Sequence, residues 1–167
     1  MLRHQEEQNL EAAFYRLSDR LIDSIPNRAY LTISLDSERS QFTRFNHGKV
    51  RQSGVVADGN VTISLLSHQR EAYATFPFTG DDDLDIANGL DSLNYLYQEV
   101  SQIPENPYAV IPENRGSSRE LHQGELLAAD QAIATILEPV GSADFTGFYA
   151  AGSIIRANAT SVGQRHW

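Results

Sequence analysis

Between Ala29 and Phe78 the sequence alternates. Leu31, Ile33 and Leu35 are separated by polar or small side chains, and Val61, Ile63 and Leu65 repeat the pattern. A period of two sends successive side chains to opposite faces, so each run reads as a strand with one face toward a core and the other toward water. Residues 40–46 and 49–57 are two further candidate strands, joined across Asn46-His47-Gly48. Asp58-Gly59 is a two-residue hairpin signal, because both positions tolerate positive φ. Tyr73 to Phe78 supplies a fifth strand. Five consecutive strands joined by short turns leave no room for crossover helices, so the expected sheet is an antiparallel meander.

Helical periodicity flanks this block. Leu10, Phe14, Leu17, Leu21 and Ile25 recur at steps of three and four, which predicts a helix over residues 6–25, stopped by Pro26. Asp81, Asp82, Asp83 and Asp85 open a second helix carrying Leu84, Leu90, Leu93 and Val100. Acidic residues in a first turn favour the helix dipole and cap free amides. Pro104, Pro107 and Pro112 mark residues 102–118 as loop. Ser117 or Ser118 is the expected cap of a third helix, with Leu121, Leu126, Ala129, Ile133 and Ile136 facing inward as far as Pro139. Phe145 to about Ala157 returns to strand. The fold class is α+β: a two-layer sandwich, an antiparallel β-meander with helices packed on one face.

The chain has 167 residues, enough for one domain with a substantial core. Its net charge of −9 repels phosphate backbones, so nucleic acid is not an expected partner. It contains no cysteine, which excludes disulfides and thiolate metal sites within it. The N-terminus has no apolar signal core and no run reaches membrane-spanning length. The expected setting is therefore cytoplasmic, away from membranes, where the Asn60-Val-Thr62 and Asn158-Ala-Thr160 sequons are chance matches.

No complete active site is visible. The five histidines, His4, His47, His68, His122 and His166, are scattered, and none forms an H-E-x-x-H pair. His122 and Glu125 share one face of the expected third helix, but two ligands do not close a zinc site. The aspartates at 81–85 lack the alternating pattern of an EF-hand loop, and capping accounts for them. Gly152-Ser153 is not a nucleophile elbow. The expectation is no catalytic, cofactor-binding or metal residue within this chain.

Two groups remain as candidates for contact with a substrate or partner. Arg39, Arg44, Lys49 and Arg51 gather in a short stretch of an otherwise acidic chain. The favoured reading is a solvated outer sheet face; the alternative is a surface for a peptide carboxylate, an acidic partner or a second domain. In the terminal block, Arg156, Asn158, Ser161, Gln164 and Arg165 supply donors and acceptors with no apolar rhythm to explain them. Either they belong to a packed connector or they line a cleft. The terminal block is rich in small residues, glycine and aromatics and stops abruptly at Trp167, an ending expected of a chain interrupted within a longer protein.

The terminal block Gly147-Phe-Tyr-Ala-Ala-Gly152, followed by Arg156-Ala-Asn158-Ala-Thr-Ser161-Val-Gly163-Gln164-Arg165-His-Trp167, resembles the end of the N-terminal region of the TldD/PmbA family, whose members were once named modulators of DNA gyrase. Phe42-Thr-Arg44-Phe45-Asn46-His47-Gly48-Lys49-Val50-Arg51-Gln52-Ser53 resembles a second family block, in the same order and at similar spacing. Thr160 and Val162 depart from the usual pattern. The resemblance covers nearly the whole chain. It implies an N-terminal α+β domain over 1–145 and a terminal strand or connector over 146–167, leading to a C-terminal metallopeptidase domain. In the family that second domain carries a His-Glu-x-x-x-His motif and a zinc ion. The implied role of this chain is scaffolding, dimerisation and possible cleft lining in an enzyme that degrades or matures short or unfolded peptides. Members form homodimers, or heterodimers with a metal-free sister subunit. A domain of that sister subunit and a stand-alone peptide- or protein-binding module are the alternatives.

Overall fold

The structure, a computed structural model, describes residues 2–26, 28–122 and 124–167. Helix α1 (Leu2–Ile22) is followed by strands β1 (Ala29–Asn46), β2 (Lys49–Ser67) and β3 (Arg70–Pro77). Helix α2 (Asp82–Val100), helix α3 (Ala129–Leu137) with a 3-10 turn at Glu138–Val140, and strands β4 (Gly147–Thr160) and β5 (Arg165–His166) complete it. The strands form one five-stranded sheet in the order β3-β2-β1-β4-β5. The protein is thus α+β with an antiparallel sheet, as expected. The meander itself comprises β1 to β3, and β4 returns to the far side of β1.

The strand count differs from expectation because the turns lie elsewhere. β1 and β2 are long and continuous, so Asp58-Gly59 lies inside β2 and makes no hairpin. Gly59 is buried, and its carbonyl accepts the amide of Phe78 at 2.8 Å. An Asp-Gly pair permits positive φ but does not require it, and the alternation on either side carries the strand through. The chain reverses instead at His47-Gly48 (φ 51° and 64°) and at His68-Gln69 (φ 50° and 59°). Both central residues of each loop are left-handed, the geometry that matches strand twist.

The third helix also differs. It spans only Ala129–Leu137, and no side chain caps it. Ser118 lies in a parallel bridge with His166, while Leu121 and Leu126 are exposed. A helical pattern without a cap or a tertiary surface to cover it does not nucleate a helix.

The chain divides into two compact units. The first comprises residues 1–36, 59–120 and 155–167. Here Leu31, Ile33, Leu35, Val61, Ile63, Leu65, Phe76, Ala157 and Ala159 face one way from the sheet, against Phe14, Leu17 and Leu21 of α1 and Leu93 and Leu96 of α2. Burying each such large side chain contributes about 1.5–3 kcal/mol. Gly89 lets the two helices approach: a Cβ there would stand 3.1 Å from Leu17 Cδ1. The opposite sheet face is polar, with Thr62 and Thr75 hydroxyls 2.9 Å apart. Asp81 caps α2 by accepting the Leu84 amide at 3.1 Å. Asp85 is buried and accepts from Thr79 N (3.0 Å), Thr79 Oγ1 (2.9 Å) and Gly80 N (2.8 Å), which fixes the entry to the helix.

The second unit comprises residues 37–58 and 121–154. Its small interior contains Ser40, Thr43, Phe45 and Ala132. The Phe45 and Phe145 rings lie 5.6 Å apart, and Phe42 stacks on Phe148 at 5.9 Å. The tip of the β1–β2 hairpin is tied down by Gly48 N donating to Phe145 O at 3.0 Å.

Candidate functional site

The expected contact residues fall into two groups, one in each unit. In the second unit, Arg44, Lys49 and Arg51 are all exposed. Among the described residues none of the three has an acidic partner. At this tip His47 Nδ1 lies 2.8 Å from Asp144 Oδ1, with both side chains largely in water. Phe148, 64% exposed, and its stacking partner Phe42 belong to the same unit. This surface offers three free cations and an aromatic pair, an arrangement that attracts acidic groups without fixing one in a defined geometry.

In the first unit the terminal block is engaged internally. Arg156 pairs with Asp36 at 3.1 Å across an exposed part of the sheet. Asn158 Nδ2 donates to Ser34 Oγ at 3.1 Å. Gln164 closes the β4–β5 turn: its amide donates to Thr160 Oγ1 at 3.2 Å, and its carbonyl accepts from Thr160 N at 2.9 Å. Arg165 pairs with Asp19 of α1, and its guanidinium lies 5.1 Å from the Tyr15 ring centre. Ser161 donates its amide to Leu31 O at 2.9 Å and accepts the Leu31 amide on its hydroxyl at 3.0 Å. Arg156, Asn158, Ser161 and Arg165 thus have side-chain partners in the fold, and Gln164 is held through its backbone. The Arg156 guanidinium, the most exposed of them, keeps donors turned to water.

Sequence reasoning missed the group that anchors this end. Trp167 packs beside Phe14 and Tyr15, with ring centres 6.3 Å away in each case. Its amide donates to Ser118 O at 3.0 Å, and its carbonyl accepts from Glu120 N at 2.7 Å. Arg119 forms a fork with Glu11, at 2.8 and 2.9 Å. Burial raises the Tyr15 hydroxyl pKa, and the Glu11 carboxylate raises it further. The sequence signal was present in the lone tryptophan of the chain, but its partners on α1 are remote in sequence.

Ser118 Oγ lies 2.9 Å from His166 Nδ1, the separation of a nucleophile and its base. No carboxylate orients the second ring nitrogen among the described residues, and Ser118 is exposed. The pair closes the parallel bridge and lacks the third member that such chemistry requires. Among the described residues, no three His, Asp or Glu side chains come together as a metal site, and the residues present do not fit a zinc ion. No helix among them is long and apolar enough to cross a membrane.

No family model matches the sequence, and no curated protein matches it. Solved structures do match. A candidate modulator of a DNA gyrase from Thermotoga maritima superposes with a TM-score of 0.59 at 15% identity, over 91% of this chain and 36% of the other. TldE from Thermococcus kodakarensis gives 0.66 at 11% identity, over 95% and 37%. A candidate modulator of DNA gyrase from Bacteroides thetaiotaomicron gives 0.56 at 14%, over 99% and 38%. The chain spans a little over a third of the length of these structures. Its fold is that of the TldD/PmbA N-terminal domain, as the two sequence blocks led us to expect.

Proposed function

We propose that this chain is the N-terminal, non-catalytic domain of a TldD/PmbA-type metallopeptidase acting on short or unfolded peptides in the cytoplasm. The observation that supports this reading is the match of nearly the whole chain to about a third of each of three solved structures, two candidate modulators of DNA gyrase and TldE. The family-like blocks that contain Arg44 and Arg165 agree with it. The zinc ion and the His-Glu-x-x-x-His ligands belong, on this reading, to a domain outside these residues, and no catalytic step is assigned here. The domain scaffolds that enzyme, takes part in its homodimer or sister-subunit heterodimer, and offers the cationic surface of Arg44, Lys49 and Arg51 to acidic groups of a peptide or partner.

The test is to read the gene beyond the codon for Trp167. An open frame encoding His-Glu-x-x-x-His is the expected result. A frame lacking those ligands assigns the chain to the metal-free sister subunit, and an immediate stop leaves a small binding module.

A further inference from the structure

Within the second unit, the strands near the β1–β2 turn place a small set of side chains on one sheet face. The turn has two central residues, His47 and Gly48, so Asn46 and Lys49 stand opposite each other. In the pairing of β1 with β4, Gly152 lies against Ser40, and the Thr146 hydroxyl donates to Asn46 Oδ1 at 3.2 Å. That register sets Phe148 opposite Arg44. Opposed residues share a face, as do residues two apart along a strand. Phe42, Arg44, Asn46, Lys49, Thr146 and Phe148 therefore face the same way.

This face has an aromatic half and a cationic half. Phe42 lies over Gly54, where an added Cβ would stand 2.9 Å from its ring, and it stacks on Phe148 with the ring planes 16° apart. The pair forms a supported platform whose Phe148 ring is largely open to water. Arg44 and Lys49 are exposed beside it, and Asp144 at the same tip pairs with His47 instead. In a chain of net charge −9, two cations without a carboxylate next to an open ring complement a ligand that joins negative charge to an apolar group. An anionic membrane has that chemistry as well, but the rest of the acidic chain repels it. A peptide with a carboxylate beside an aromatic side chain meets no such barrier.

We propose that this face binds an aromatic side chain and a neighbouring carboxylate of an extended peptide, with Phe148 taking the ring and Arg44 and Lys49 the acid. Acidic-aromatic segments are then the preferred peptides of the enzyme to which this chain belongs. The inference rests on the peptidase reading for its choice of a peptide as occupant.

The test measures binding and hydrolysis separately, with the complete protein. The probes are fluorescein-labelled peptides: amidated Gly-Ser-Gly-Phe-Glu-Gly-Ser, its counterpart with lysine in place of glutamate, and Gly-Ser-Gly-Ser-Gly-Ser-Phe with a free terminal carboxylate. By fluorescence anisotropy, one or both carboxylate peptides are expected to bind roughly tenfold tighter than the lysine peptide. The one that does so identifies the carboxylate as side-chain or terminal. The preference shrinks as salt is raised. Arg44→Glu abolishes or reverses it, Phe148→Ser weakens binding of all three peptides, and Arg115→Glu in the first unit leaves it unchanged. Circular dichroism melting verifies that each variant is folded; should Phe148→Ser not fold, Arg44→Glu, at an exposed position, decides alone. Equal binding of all three peptides, a preference indifferent to Arg44→Glu, or binding to phosphatidylserine vesicles and to no peptide overturns the proposal. Hydrolysis of none of the peptides counts against the peptidase reading, while equal hydrolysis without a binding preference overturns this inference alone.

Discussion

Gly152 of β4 and Ser40 of β1 lie against each other with no space for a side chain on the glycine: an added Cβ would fall on the Ser40 Cα and the Arg39 carbonyl oxygen. Both obstacles are close to or part of the backbone, so neither can rotate away. Gly152→Ala is expected to lose about 2–3 kcal/mol, the cost of forcing atoms into a filled space. Gly124→Ala, where a Cβ would meet nothing within 4 Å, should stay within about 0.5 kcal/mol of the parent. Urea denaturation of both variants makes the comparison.

Asp85 is the buried carboxylate that receives Thr79 and Gly80 at the start of α2. Replacing it with alanine leaves three donors without their acceptor and is expected to cost about 2–3 kcal/mol. Asp85→Asn should lose less, because the amide keeps one oxygen. Equal losses for both variants, measured by denaturation, would count against this account of the helix entry.

Among the described residues the enclosed Tyr97 hydroxyl has no hydrogen-bond partner, and burial pushes its pKa up to about 12. The unfolded chain releases this proton near the ordinary value of 10, so between pH 10 and 12 the unfolded state binds fewer protons than the folded one. Stability must then fall with rising pH across that window. Tyr97→Phe is expected to flatten that part of the profile and, by removing an unpaired polar group, to be neutral or stabilising by up to about 1 kcal/mol. Melting temperatures of both proteins from pH 9 to 12 provide the check.

Arg156 and Arg165 both belong to the terminal block but should respond differently. Arg156 sits in an exposed pair with Asp36, and Arg156→Ala is expected to change stability by no more than about 0.5 kcal/mol. Arg165 holds Asp19 and lies over the Tyr15 ring, so its loss is expected to cost about 1 kcal/mol. If Arg156→Ala in the complete protein lowers peptide turnover while its melting temperature is unchanged, that residue faces the substrate.

Much of the first unit was legible because its residues obey simple periods. Phe14, Leu17 and Leu21 follow the helical step, and Leu31, Ile33 and Leu35 the strand step; all six are buried. The second unit was harder to read. Asp58-Gly59 carries a strong turn signal, yet local tolerance of positive φ yields to the pairing of long strands. Leu121 and Leu126 mimic a helical face but are exposed, since a period identifies a face without showing that anything covers it. The exposure of Arg44, Lys49 and Arg51 followed from their charge. The partners of Arg165, Arg156 and Trp167 did not, because each contact joins distant segments that only the folded sheet and α1 bring together.

The most direct test of the central claim is to express the uninterrupted reading frame that contains residues 1–167 and follow hydrolysis of an unfolded peptide, with and without a chelator. Cleavage that is abolished by chelation, restored by zinc and absent from residues 1–167 alone is the predicted result. Hydrolysis by residues 1–167 alone, or cleavage indifferent to chelation, would contradict the proposal that this chain is the non-catalytic domain of a metallopeptidase.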